Sequence, residues 1–289
     1  MGSGKIRVND VLEMKRSGRK ISVVTAYDYS TAVLADRAGI DIVLVGDSLG
    51  MVVLGYGDTT SVTMDDMMVF CKAVRRGVKN ALVVGDMPFL SYQVSREEAV
   101  RNAGRLIKEA GVDAVKLEGG SHLAGVIRGI VEAGIPVMGH IGLLPQTADK
   151  WSGYRLQGKS WSQGIKILED AVALEEAGVF STVLESIPAE VSKIVTEKTS
   201  VPTIGIGAGQ LCDGQVLVSH DLLGVFEGFT PKFVKKYADL SKSILDAFKS
   251  YKRDVQSSKF PADKHTFHMS EAEYTKMLKA LAKRKGKNR

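Results

Sequence analysis

The sequence predicts an α/β fold, a (β/α)8 TIM barrel with additional C-terminal helices. Three observations carry this expectation. Short apolar runs alternate with segments of helical apolar spacing, and eight such runs lie between Ser22 and Ser219. An Ala-Gly step recurs before the strands, at Ala38-Gly39, Ala110-Gly111, Ala133-Gly134 and Ala177-Gly178, as expected where a helix stops at the bottom of a barrel. The length of 289 residues, 44% of them hydrophobic and 25% charged, suits a single barrel of this kind.

Residues 1–20 read as an N-terminal segment, 21–260 as the barrel with a C-terminal helix, and 261–289 as an extension with a basic tail. Taken in order, the first strand is expected over Ser22 to Tyr27, followed by a helix over Thr31 to Ala38. The second, Ile40 to Val45, opens a long connection from Ser48 to Asp65. The third, Ala81 to Gly85, precedes a helix over Arg96 to Ala110, and the fourth, Ala114 to Leu117, one over Leu123 to Ala133. The fifth, Pro136 to Gly139, leads into a second long connection, Ile141 to Trp161, and a helix over Gln163 to Ala177. The sixth, Ser181 to Leu184, precedes a helix over Ala189 to Lys198, and Pro202 to Ile206 and Gln215 to Ser219 complete the eight. Beyond Thr230 the spacing is helical from Lys232 to Lys252, followed by an extended segment and a basic end. Long connections within compact domains often act as lids. The second holds Trp151, Tyr154, Arg155 and Lys159 among glycines, which suits the covering of a flat, anionic ligand.

The net charge of +6 does not point to nucleic acid, because of where it lies. Residues 276–289 hold seven Lys or Arg and no acid; without them 32 basic residues face 33 acidic ones, so the body is nearly neutral and shows no basic stripe. Such a terminal run usually stays a disordered, solvated tail. No apolar run reaches a membrane-spanning length, and the start lacks the apolar centre of a signal peptide. Ile6 stands where an acylation signal wants Ser or Thr. Cys71 and Cys212 form no ligand motif or disulfide framework, which fits a reducing cytoplasm.

Strand ends of a TIM barrel aim their last side chains into the active-site mouth. Here they are acidic: Asp47, Asp86, Glu118 and Glu185 each follow an apolar strand, and His140 ends another. One such carboxylate reads equally as a helix cap or a surface group. Four in register repel one another and stay ionised most readily around a cation. Oxygen ligands without nearby Cys or several His select Mg²⁺. Asp47 and Asp86 are expected as direct ligands, with Glu118 direct or through water. Glu185, set apart, suits a general base if burial raises its pKa, and otherwise a partner for a Lys or Arg of the long loop. Lys116 shares a strand face with Glu118 and reads either as a holder of a substrate carboxylate or as a salt-bridge partner. His140 reads as a donor to the ligand or as a satisfied core residue. Gly205-Ile206-Gly207-Ala208-Gly209 reads as a phosphate-binding strand end, as tight barrel closure, or as room for a flat ligand.

With these segments on the page, the sequence resembles the ketopantoate hydroxymethyltransferase family from about Asn9 to Phe260. The likeness lies in Thr25-Ala26-Tyr27-Asp28, Val45-Gly46-Asp47-Ser48-Leu49-Gly50, Gly85-Asp86-Met87-Pro88-Phe89, Val115-Lys116-Leu117-Glu118-Gly119-Gly120, Gly139-His140-Ile141-Gly142-Leu143, Leu184-Glu185 and the glycine run from Gly205 to Gly209. The resemblance implies that Asp47 and Asp86 bind Mg²⁺, one ion per subunit, with Glu118 completing the site. It implies that Asp47, Ser48, Asp86, Lys116 and His140 form the site for the oxo acid and that Glu185 is the base. The implied reaction takes a one-carbon unit from 5,10-methylenetetrahydrofolate to 3-methyl-2-oxobutanoate through a Mg-stabilised enolate, on the way to pantothenate and coenzyme A. A cytoplasmic homo-oligomer, typically a decamer, is implied as well. The competing enzymatic reading is a phosphoenolpyruvate mutase or isocitrate-lyase-like barrel, although no Cys-Gly-His loop of the lyase kind is present. A silent barrel that acts through its basic tail is the non-enzymatic alternative.

Overall fold

The computed structural model describes residues 4–147 and 155–285. Trp151 and Tyr154, read above as covering a ligand, lie outside them. The chain parts into two compact units, Met1–Ala238 and Asp239–Arg289.

The first unit is a closed barrel of eight parallel strands, each bonded to the next and the eighth to the first. They are β1 (Ile21–Thr25), β2 (Ile42–Val45), β3 (Leu82–Asp86), β4 (Ala114–Lys116), β5 (Val137–Gly142), β6 (Ser181–Glu185), β7 (Thr203–Ile206) and β8 (Gly214–Leu217). Successive strand side chains point to opposite faces, so both faces of each strand must find apolar cover. Ile42 and Leu44 of β2 and Leu82 and Val84 of β3 join one buried cluster inside the barrel, whereas Val43, Val45 and Val83 join another, packed under the helices. This parity carries Asp86 inward two residues beyond Val84, Lys116 two beyond Ala114, His140 two beyond Met138 and Glu185 two beyond Val183.

The N-terminal helix α1 (Val8–Arg16) places Val11 and Met14 in the inner cluster and so plugs the bottom of the barrel. The outer helices are α2 (Tyr29–Arg37), α3 (Leu49–Val52), α4 (Met64–Gly77), α5 (Arg96–Arg105), α6 (Ala124–Glu132), α7 (Trp161–Glu176), α8 (Ala189–Lys198) and the short α9 (Ser219–Leu222). Their starts follow from side-chain caps: Thr63 accepts from the Asp66 N–H, Ser95 from that of Glu98 and Ser160 from that of Gln163.

β7 runs to β8 through residues 207–213 without a helix between them. The glycines of this stretch serve close packing: a Cβ on Gly207, at φ +64°, would lie 2.6 Å from the Phe233 ring, and one on Gly205 2.9 Å from Cys212 Sγ. The helix expected over Arg96 to Ala110 turns to a wider π-type turn over Leu106–Ala110 before Gly111 stops it at φ +75°. The helix expected from Lys232 starts only at Leu240, because the preceding segment is bound to the barrel, with the Tyr237 N–H donating to the Leu222 carbonyl.

The basic end is also not a disordered tail as far as it is described. In the second unit α10 (Leu240–Gln256) and α11 (Glu271–Lys285) are joined through a short turn over Asp263–His265. Ser270 heads α11, its carbonyl accepting from the Tyr274 N–H at 2.9 Å, and Glu271 and Glu273 stand in its first turn, where the helix dipole favours acids. Ala, Leu, Met, Lys and Arg, all strong helix formers, fill the rest apart from Tyr274 and Thr275. No helix among the described residues is long and apolar enough to cross a membrane.

Candidate active site

Neighbouring strand ends converge at the C-terminal mouth. Asp86 closes β3 in register with Lys116 on β4, and the Lys116 ammonium donates to both Asp86 oxygens at 2.8 Å. Its nitrogen also lies 3.8 Å from Glu118 Oε1. Asp47, just past β2, donates its backbone N–H to Asp86 Oδ2 at 3.3 Å. Asp47, Asp86, Lys116, Glu118 and His140 are all 5% exposed or less. His140 lies within β5 rather than after it, between two carboxylates: Nδ1 is 3.5 Å from Glu118 Oε1 and Nε2 is 3.2 Å from Glu185 Oε2. Neither approach is aligned as a hydrogen bond, and both serve as charge contacts. Ser48 lies at the rim, its hydroxyl 2.8 Å from that of Tyr27.

The structure thus brings Asp47, Asp86, Lys116, Glu118, His140 and Glu185 together. Among the described residues no Lys or Arg of the long loop pairs with Glu185. Its neighbour is His140, and its side chain keeps 14% exposure. Past it, Ser186 holds a left-handed backbone at φ +48°, a conformation costly outside glycine.

The electrostatics of the mouth are lopsided. Burial, then Asp86 and Glu118, pushes the Asp47 carboxyl well above the usual range. Burial also pushes Asp86 up, and its contact with Lys116 does not fully offset this. Burial disfavours the charged form of Glu118 too, yet His140, Lys116 and the Gln146 N–H together hold it below the usual range. For His140, burial and Lys116 oppose the proton, and Glu118 and Glu185 outweigh them, raising it to about 9. Lys116 is raised by the same carboxylates despite burial. Lys116 and a protonated His140 together face the four carboxylates of Asp47, Asp86, Glu118 and Glu185, and Asp47 and Asp86 remain pushed toward protonation. The mouth is short of positive charge.

This shortage is the test of fit for a divalent cation, and the donors are the carboxylate oxygens that Mg²⁺ prefers. Among the described residues no three His, Cys, Asp or Glu side chains form a ready-made cage.

A profile of the family described as ketopantoate hydroxymethyltransferase matches residues 5–263. The chain belongs to this family. It is 56% identical over 267 residues to the 3-methyl-2-oxobutanoate hydroxymethyltransferase of Syntrophomonas wolfei subsp. wolfei, covering 92% of this chain and 97% of the relative. It is 57% identical over 263 residues to the enzyme of that name from Moorella thermoacetica, covering 91% and 98%. Among solved structures, phosphonopyruvate hydrolase in complex with oxalate and Mg²⁺ superposes with a TM-score of 0.59 at 13% identity, covering 95% of this chain and 99% of that one. 2,3-Dimethylmalate lyase, of the phosphoenolpyruvate mutase/isocitrate lyase superfamily, does so with 0.58 at 15%, covering 96% and 99%. At such identity these two show a shared fold alone.

Within this ketopantoate hydroxymethyltransferase family member, sequence reasoning missed two residues of the mouth. Tyr92 and Gln146, both fully buried, tie Asp47 and Glu118 together from the segments after β3 and β5. Tyr92 is a single polar residue in an irregular stretch and Gln146 one at the start of a helical turn, with no periodicity to mark either. The available signal was position: both follow strand ends.

Proposed function

We propose that the chain transfers a hydroxymethyl group from 5,10-methylenetetrahydrofolate to 3-methyl-2-oxobutanoate, forming ketopantoate, as a cytoplasmic homo-oligomer, expected to be a decamer. The family match and the relatives' shared name support the reaction. The observation that carries the mechanism is the cation-poor carboxylate cluster beside the His140–Glu185 pair.

Asp47 and Asp86, with Glu118, would hold Mg²⁺, which when bound supplies Lewis-acid polarisation of the substrate's 2-oxo group. Glu185, with Oε2 against His140, takes the proton from C3. The C3–H electron pair becomes a C2–C3 double bond, and negative charge moves onto the 2-oxo oxygen. Lys116 offers a fixed positive charge in a buried site, where such charges act strongly. His140, raised to about 9, keeps its proton near neutrality and balances the Glu118 and Glu185 charges before the transfer. C3 then attacks the folate-borne methylene, the C–C bond forms as one of the two C–N bonds breaks, and water displaces the second folate nitrogen and supplies the hydroxyl; the two nitrogens take up the proton from Glu185 and one from that water. Ser48 is read as a rim contact to the oxo acid.

The test follows deuterium loss from C3-deuterated 3-methyl-2-oxobutanoate by NMR, with and without Mg²⁺ and then with methylenetetrahydrofolate. Metal-dependent exchange followed by ketopantoate is expected. Folded, metal-loaded protein giving neither exchange nor product would favour lyase-like chemistry instead.

A further inference from the structure

Gln146 follows β5, has no accessible surface, and reaches across the mouth toward the ends of three other strands. Its side-chain NH₂ donates to Asp47 Oδ2 and to the Met87 carbonyl, each at 2.9 Å, and its backbone N–H donates to Glu118 Oε2 at 3.0 Å. Its Oε1 lies 2.6 Å from the hydroxyl of Tyr92. That hydroxyl also lies 3.2 Å from the Glu118 N–H and 3.0 Å from the Glu118 carbonyl. The N–H can only donate, so the hydroxyl accepts from it and gives its single hydrogen to the nearer acceptor, Gln146 Oε1. A flipped amide would set Oε1 against two acceptors, the Asp47 carboxylate and the Met87 carbonyl. The Asp47 carboxylate, the Met87 carbonyl and the Tyr92 hydroxyl together fix the amide in one orientation.

A buried amide is a costly way to fill space, since an apolar side chain of similar volume needs no hydrogen bonds. What Gln146 does with its polarity is specific. It takes one oxygen from each of two carboxylates and leaves the other. For Glu118 the remaining oxygen is Oε1, the one that faces Lys116 and His140. A carboxylate held this way offers a cation one oxygen in a set direction, which suits Mg²⁺ with its demand for near-octahedral geometry.

We propose that Gln146, oriented in part by Tyr92, is a positioning residue that presents the Asp47 and Glu118 carboxylates to the divalent cation, one oxygen from each. The inference rests on the reading of those carboxylates as cation ligands.

The test is an EPR titration of the metal-free, full-length chain with Mn²⁺ for the wild type, Gln146→Leu, Tyr92→Phe and Asp47→Asn, with melting curves alongside. Gln146→Leu should weaken Mn²⁺ about tenfold or more, as loss of a group orienting a metal ligand does. It should also lower kcat more than it raises KM for 3-methyl-2-oxobutanoate. Tyr92→Phe deletes one oxygen and should weaken Mn²⁺ about threefold. Affinity within about twofold of the wild type in both variants, with Asp47→Asn still abolishing binding, overturns the positioning role and leaves the cation reading intact. A wild-type chain that takes up no Mn²⁺ overturns the cation reading and this inference with it. If Gln146→Leu does not fold, Tyr92→Phe decides: weakened Mn²⁺ binding supports the role, and unchanged binding overturns it.

Discussion

At the bottom of the barrel, Asp41 accepts from the Ser22 N–H at 2.8 Å and the Ser22 hydroxyl at 2.7 Å, and faces Arg19. At the top, Asp47 and Asp86 are just as buried but share the Lys116 ammonium with Glu118. The bottom arrangement recurs. Asp113 accepts from the Val83 N–H at 2.9 Å and pairs with Lys5. Asp213 accepts from the Thr203 N–H at 2.9 Å and pairs with Lys15 at 2.9 Å. The N-terminal segment thus supplies one cation to each of three bottom carboxylates, while at the top Lys116 and His140 are shared among four. Neither burial nor acid count separates structure from function in this barrel. Uncompensated charge does, because groups left strained in the free protein are the ones poised to gain from a ligand. Substitution at the top should therefore cost chemistry and spare the fold, and substitution at the bottom should do the reverse.

The largest effect should come from Glu185→Gln. Loss of a general base costs about 10²- to 10⁴-fold in rate. C3 proton exchange should fall by that much while Mn²⁺ affinity and melting temperature stay close to the wild type. Exchange that survives would take Glu185 out of the base role. A large fall in melting temperature would make the top end structural as well, and the contrast between the two ends would fail.

Asp41→Ala tests the other end. It strands the buried Ser22 N–H and leaves Arg19 unpaired, which should cost about 2 to 3 kcal/mol in urea unfolding. Turnover per folded molecule should hardly change, since Asp41 sits a strand's length from the mouth. Lost turnover at unchanged stability would show that the bottom carboxylates reach the chemistry.

The same contrast explains what could be read from the sequence. All eight strands were legible because parallel strands covered on both faces form unbroken apolar runs. The carboxylates were legible because they end those runs. The role of the glycines from Gly205 to Gly209 was not, because they read equally as an anion loop and as close packing, and only Phe233 and Cys212 against them decide it. The onset of α10 was hidden because Phe233, Val234 and Tyr237 keep helical spacing while their backbone is tied to the barrel. Gln146 and Tyr92 left only their position after strand ends, since their meaning lies in partners far along the chain.

The smallest effect, and the finest test, lies with Asp36 near the end of α2. Burial works against its charge, but N–H groups of Ala81 and Asn80 outweigh it and hold its pKa below the usual carboxylate value. Two of these bonds, from the backbone of Asn80 and Ala81, measure 2.8 Å, and the Asn80 side chain adds a third at 2.9 Å. With the folded pKa below the unfolded one, the stabilisation is complete above the unfolded value and fades as pH falls through the folded value. Asp36→Asn puts an NH₂ among donors and should cost about 1 kcal/mol at about pH 7. The gap between wild type and variant should narrow toward about pH 3, as the wild-type carboxyl takes up its proton. Comparing the two chains in urea at both pH values cancels the other carboxylates, which titrate alike in each. A gap that stays constant with pH would mean that Asp36 acts through shape alone, and that charge compensation is not what distinguishes the bottom of the barrel from the top.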